Sequence, residues 1–90
     1  MEKTILIHCT PFDRYIDVLV LDKKTQTIVD REPVVIDNLP EVIFKLSDKH
    51  DCSTLNIKGF KMYTKGIEKK IKEAELTKYN ANHLRINLVK

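Results

Sequence analysis

Ninety residues, 42% hydrophobic and 32% charged, make one ordinary globular domain whose thin core hides only about 60% of the unfolded surface. No apolar run approaches the ~20 residues of a membrane span, and two cysteines are too few for a disulfide scaffold. The net charge of +3 is uneven: residues 1–52 hold seven Lys/Arg against ten Asp/Glu, a balance of −3, and residues 53–90 hold nine against three, a balance of +6.

Such an asymmetry hints at a dipolar surface, or simply at two differently solvated faces. The opening MEKTILIHCT has too short an apolar segment and no small-residue cleavage site, so it does not read as a secretory signal. A cytoplasmic protein is the expectation.

Thr4–Cys9 is a run of β-branched and aliphatic residues suited to a strand covered on both faces. Tyr15–Leu21 is a second such run. Pro11 fixes its own φ and donates no ladder bond, so pairing should stop there, and so short a connection permits only an antiparallel pair. A polar turn at 22–26 leads to a third strand over 27–36, interrupted at Asp30-Arg31-Glu32-Pro33; three charges and a proline mark an edge.

Asn38 as cap, Pro40 in the first turn and Glu41 three residues past the cap predict a helix start with a capping box. Leu39, Val42, Ile43 and Leu46 then form a core-facing stripe, and the helix should fade near 49–51. Residues 53–58 alternate as a fourth strand, ended by Gly59-Phe60. A second helix is predicted over 62–79, with Tyr63, Ile67, Ile71 and Ala74 on one face. Asn80-Ala81-Asn82 breaks it, and 83–90 reads as a fifth strand.

The order strand-strand-strand-helix-strand-helix-strand, opened by the hairpin ILIHCTPFDRYIDVLVLD, resembles the ribonuclease H-like fold, whose relatives include the lobes of actin-like and sugar-kinase ATPases. The resemblance implies an α/β domain with a mixed five-stranded sheet of order 3-2-1-4-5, strands 1, 4 and 5 parallel and both helices on one face. Where that family ends strand 1 in a catalytic or metal-binding aspartate, this chain has His8, Cys9 and Thr10. It also lacks a glycine-bearing phosphate loop after that strand. The resemblance is thus to a single degenerate lobe without nuclease or ATPase chemistry.

With the helices on one face, the other face of the sheet is expected to be bare. Alternation turns Ile5, Ile7, Ile16, Val18, Val20, Leu55, Ile57, Leu84, Ile86 and Leu88 toward the helices. It sends Leu6, His8, Tyr15, Asp17 and Leu19 outward, with Asn56, Lys58, Arg85 and Asn87. Leu6, Tyr15 and Leu19 on central strands make this face a candidate protein-interaction surface, Tyr15 and a nearby arginine being typical anchors; a merely solvated face is the competing reading.

A second candidate is the cleft beyond the carboxyl ends of strands 1 and 4, where strand order reverses. Cys9, Thr10 and Pro11 would form one side, and Gly59, Phe60, Lys61 and Tyr63 the other. Thr64 and the amides opening the second helix would receive an anion, unless the cleft is an empty relic. Lys58, Lys61, Lys65, Lys69 and Lys72 form a third candidate, a phosphate-contacting stripe for nucleic acid. Against it, one arginine and three glutamates accompany the stripe in this half, and a charged face opposite a core face is usually just solvated.

Other chemistries fit less well. His8 and Cys9 are neighbours on a strand and point to opposite faces, so they share neither a zinc nor a catalytic dyad. Asp13, Asp17 and Asp22 do not converge for two-metal hydrolysis. Cys9 and Cys52 fall at opposite ends of parallel neighbours, ~15 Å apart, beyond disulfide reach. The expectation is a small non-catalytic, cofactor-free protein-binding module of the accessory or inhibitor type, similar to phage-encoded proteins. It would dock on another protein or on itself through the open face; a nucleic-acid-binding accessory domain is the alternative.

Overall fold

A run of residues that prefer the pleat sits at the centre of the sheet: β1, Lys3–Cys9, carries Ile5 and Ile7 on one face and Leu6 and His8 on the other. It belongs to a computed structural model that describes residues 2–10, 14–77 and 84–89. The remaining elements are β2 (Tyr15–Asp22), β3 (Ile28–Val35), α1 (Leu39–His50), β4 (Thr54–Gly59), α2 (Lys61–Thr77) and β5 (Arg85–Val89). The expected Pro11 stop, the break at 80–82 and the strand start at His83 lie outside the described residues. No helix of the described residues is long and apolar enough to cross a membrane.

The fold is α/β, with a mixed sheet of order β3-β2-β1-β4-β5. β1 pairs antiparallel with β2 (Leu6 opposite Leu19) and parallel with β4 (Leu6 opposite Asn56). β4 pairs parallel with β5. Every second residue of the central strands is sealed: Ile5, Ile7, Ile16, Val18, Val20, Leu55 and Ile57 are at most 1% exposed. Leu39, Val42, Ile43 and Leu46 of α1 and Ile67 and Ile71 of α2 close the same cluster, so both helices cover one face. Each such side chain contributes about 1.5–3 kcal/mol by leaving water.

Three local features differ from what the sequence pattern predicts. First, β3 is unbroken through Asp30-Arg31-Glu32-Pro33. An edge strand tolerates a proline, and the inward-facing acids meet bases on α1: Lys45 reaches Glu32 at 3.1 Å, while His50 and Lys49 reach Asp30 at 2.8 and 3.4 Å. Second, the β2–β3 register shifts between Val20 and Leu21, which pair with Asp30 and Ile28 and leave Val29 as the extra residue of a bulge. Third, no capping box forms at Asn38, whose side chain makes no cap bond. A 3₁₀ turn, Ile36–Asn38, leads into α1 instead, with the Leu39 N–H bonded to the Ile36 carbonyl; Pro40 removes one of the donors that a cap would serve.

The ends of α1 and β2 are closed by side chains. Asp51 adopts the left-handed conformation (φ 53°) past α1, a position Asp accepts more readily than most residues. Ser47 Oγ donates to the Cys52 carbonyl at 2.6 Å, and the Cys52 N–H returns to Ser47 O at 2.9 Å. After β2, Asp22 Oδ1 accepts from the Lys24 and Thr25 amides, an Asx turn.

Candidate functional site

Two surfaces follow from this architecture, and they meet at the carboxyl ends of β1, β4 and β5. The first is the sheet face opposite the helices, which no element covers among the described residues. Leu6, His8, Tyr15, Asp17, Leu19 and Arg85 all belong to it, as alternation predicts. Leu6 and Leu19 are direct cross-strand neighbours and half-buried. The bulge extends their strip by bringing Ile28, 57% exposed, opposite Leu21. Tyr15 is set apart from it, four residues or ~13 Å along β2 from Leu19, opposite Val35. The arginine near the strip is Arg31, opposite Leu19, which holds Asp17 at 2.7 Å; Arg85 stands at the far edge on β5.

The other half of this face is polar and bonded to itself. Thr54 Oγ1 donates to Thr4 Oγ1 at 2.8 Å, Thr4 Oγ1 reaches the Thr54 carbonyl at 3.3 Å, and Asn87 Nδ2 donates to Asn56 Oδ1 at 3.1 Å. These bonds tie β1, β4 and β5 laterally. Arg85 and Lys58 flank them and meet no carboxylate among the described residues. The open face thus has an apolar side on β3, β2 and β1 and a basic, amide-rich side on β4 and β5.

The second surface is a cleft of about 560 Å³ at the switch point of the sheet. It is built where β4 turns into α2. Gly59, opposite Cys9, has φ +150°, and a Cβ there would lie 2.2 Å from the Cys9 carbonyl oxygen. The bare Cα lets β1 and β4 close and leaves a floor of backbone. Phe60 follows, 71% exposed, and its carbonyl accepts from the Tyr63 and Thr64 amides. Thr64 is 1% exposed, with Oγ1 donating to the Lys61 carbonyl at 3.1 Å.

Of the residues expected to form the cleft, Cys9, Thr10, Gly59, Phe60, Lys61 and Thr64 line it. Tyr63 does not; it packs against the core. His8, Lys58, Leu88 and Val89 complete the lining, an addition that no sequence pattern announces. None of the described lining residues is a carboxylate, and two are ammonium groups, so the cleft does not fit a divalent cation. No group of three His, Cys, Asp or Glu residues that could hold a metal occurs among the described residues.

The lysine stripe is divided. Lys61, Lys65, Lys69 and Lys72 are exposed along α2, with Lys72 turned to Glu68 at 3.7 Å. Lys58 belongs to β4 and points to the open sheet face, away from α2, because it alternates with the buried Ile57.

Two titrations stand out. Asp30 is held at a pKa of about 2, chiefly by its bond from His50, then by the Arg31 amide and Lys49. Burial pushes the Cys52 thiol up. Cys9 and Cys52 are both buried and form no disulfide. Compared with known proteins, the chain matches no family model and no curated sequence.

Proposed function

We propose that this chain is a small non-catalytic protein-binding module of the accessory or inhibitor type, working in the cytoplasm, and that it docks through its open sheet face. The observation that carries this reading is the half-buried apolar pair Leu6–Leu19, with exposed Ile28 beyond the buried Leu21, beside an amide and basic half on a face with no covering layer among the described residues. An exposed apolar cluster with a polar rim is the usual make-up of an interaction surface. The relationship to ribonuclease H-like lobes belongs to the same proposal, supported by the strand order and by the hairpin that opens it.

The charge pattern favours a different protein over a second copy. Lys58 and Arg85 meet no carboxylate among the described residues, and the Asp17 carboxylate on this face is already held by Arg31. Two copies placed face to face would set Lys58 and Arg85 of one either on the same residues of the other or on its apolar side, where the Asp17 carboxylate is already held by Arg31. The fitting partner presents an apolar anchor flanked by acidic residues. Five strands at ~4.8 Å spacing and ~20 Å length give roughly 500 Å² of flat face, below the ~800 Å² per partner of a standard stable interface. The contact is therefore of the transient class or extends onto the loops.

The test combines capture from the native lysate with reconstitution of the binary complex. Leu6→Thr with Leu19→Thr should abolish the complex and leave folding intact, whereas Lys69→Gln on the helix side should not affect it. A complex equally stable with both, or a self-associated species in sedimentation that the paired substitution dissolves, would overturn the choice of partner. The runner-up, nucleic-acid binding along Lys61, Lys65 and Lys69, rests on those three ammonium groups being unpaired among the described residues. It requires oligonucleotide affinity that falls steeply with salt.

A further inference from the structure

We infer that the cleft at the carboxyl ends of β1, β4 and β5 binds an organic anion with an apolar body. This inference goes beyond the docking reading and does not depend on it. Three observations converge. The cavity, about 560 Å³, is of the size class that holds small molecules, and at ~30 Å³ per heavy atom it takes roughly twenty of them. Its wall is largely apolar: the buried Cys9, Leu88, Val89 and the ring of Phe60, an aromatic left 71% exposed at the rim. Besides His8, Thr10 and Thr64, its polar side chains are two lysines and no carboxylate among the described residues. Lys58 and Lys61 flank it, neither paired with a carboxylate among the described residues.

The backbone adds to that positive charge. The N–H groups of Lys61 and Met62 open α2 and have no acceptor within the helix; they come at the end of β4 where the cleft lies, with Lys61 on the α2 side and Lys58 on the sheet-face side. An inorganic anion would satisfy the charges and leave the apolar wall wet. A neutral apolar molecule would fill the wall and leave two cations without a counter-charge. A carboxylate or sulfonate on an aliphatic or aromatic body satisfies both.

The probe is 8-anilinonaphthalene-1-sulfonate, followed by fluorescence and by amide NMR of the full chain. The expected result is binding at one equivalent, with shifts confined to residues 8–10, 58–64 and 88–89. Decanoate should displace the probe, and inorganic phosphate at the same concentration should not. Lys58→Gln with Lys61→Gln should weaken binding about tenfold, two surface Coulomb contacts being lost. Phe60→Ala should weaken it separately, and this exposed side chain can be removed without disturbing the core. Leu6→Thr with Leu19→Thr, on the open face, should leave it unchanged. Displacement by phosphate as readily as by decanoate, or probe binding that follows Leu6 and Leu19 instead of Lys58, Lys61 and Phe60, would overturn the inference.

Discussion

Replacing Gly59 by alanine tests the junction on which the cleft depends. Glycine alone holds φ +150° without strain; a side chain kept in such a region costs about 1–3 kcal/mol. The new methyl would stand 2.2 Å from the Cys9 carbonyl oxygen, so β1 and β4 must part by about 0.8 Å to reach even 3.0 Å. That movement sacrifices the last ladder bond of the pair, worth ~0.5–1.5 kcal/mol. The loss should total about 2–4 kcal/mol, out of the 5–13 kcal/mol typical of a domain this size, and should lower Tm by roughly 10–25 °C.

The chain supplies its own control. Its second glycine, Gly66, is exposed within α2, and a methyl added there would meet nothing within 4 Å. Gly66→Ala should therefore stabilise by ~0.5–1 kcal/mol through helix propensity. Thermal and urea unfolding of both variants gives the answer. A cost below ~1 kcal/mol for Gly59→Ala, or a shift of stability in the same direction for both variants, would refute a strained junction at Gly59.

Three further outcomes are expected. Because Asp30 has a folded pKa of about 2, below its ordinary 3.8, its contribution is present above that ordinary value and is lost as pH falls through about 2; Asp30→Asn should lower the urea midpoint at pH 6 and leave it close to wild type at pH 2. Ile71→Ala, at a site 0% exposed, should cost about 2–4 kcal/mol with an unchanged urea m-value. Burial raises the Cys52 thiol, so its reaction with a disulfide reagent at pH 7.5 should be slow in the native protein and rise sharply in urea; prompt native labelling of Cys52 would contradict the packing.

The elements and the helix stripes are legible in the sequence because they depend on local pattern: a continuous β-branched and aliphatic run in 4–9, a β-branched and aromatic run in 15–21, a 3.6-residue period in 39–46, and a short first connection that permits only an antiparallel pair. The full strand order follows from what the resemblance of the element order implies, and the run in 4–9, which suits a strand covered on both faces, instead leaves Leu6 half-buried and His8 exposed on the open face. Features that depend on register are not legible. The bulge at Val29 leaves no mark in a run that reads IVDREPVV. The Thr4–Thr54 and Asn56–Asn87 bonds join residues brought together only by the alignment of distant strands. Thr64 and Ser47 are buried polar residues, invisible to a search for apolar stripes, although each spends its hydroxyl on a nearby carbonyl. Lys58 joins the α2 stripe only if a helical period is extended back across Gly59, and there the chain is already a strand with a period of two.

The place of β1 has a kinetic consequence. Its partners in β2 lie close in sequence, Val18 being 11 residues from Ile7, whereas its partner in β4 lies 50 residues away at Leu55. Closing the longer loop costs about 1.3 kcal/mol more entropy, before the crossover helix has anything to pack on. The meander of β1, β2 and β3 should therefore assemble early, with Ile5, Ile7, Ile16, Val18 and Val20 facing water until α1 swings over them. β4 then docks along an edge already in register, and β5 last. In stopped-flow experiments Ile7→Val should chiefly slow folding, and Leu88→Ala should chiefly speed unfolding. The uncovered meander is the species most exposed to aggregation, so crowding at the ribosome would act on this protein before its last two strands are made.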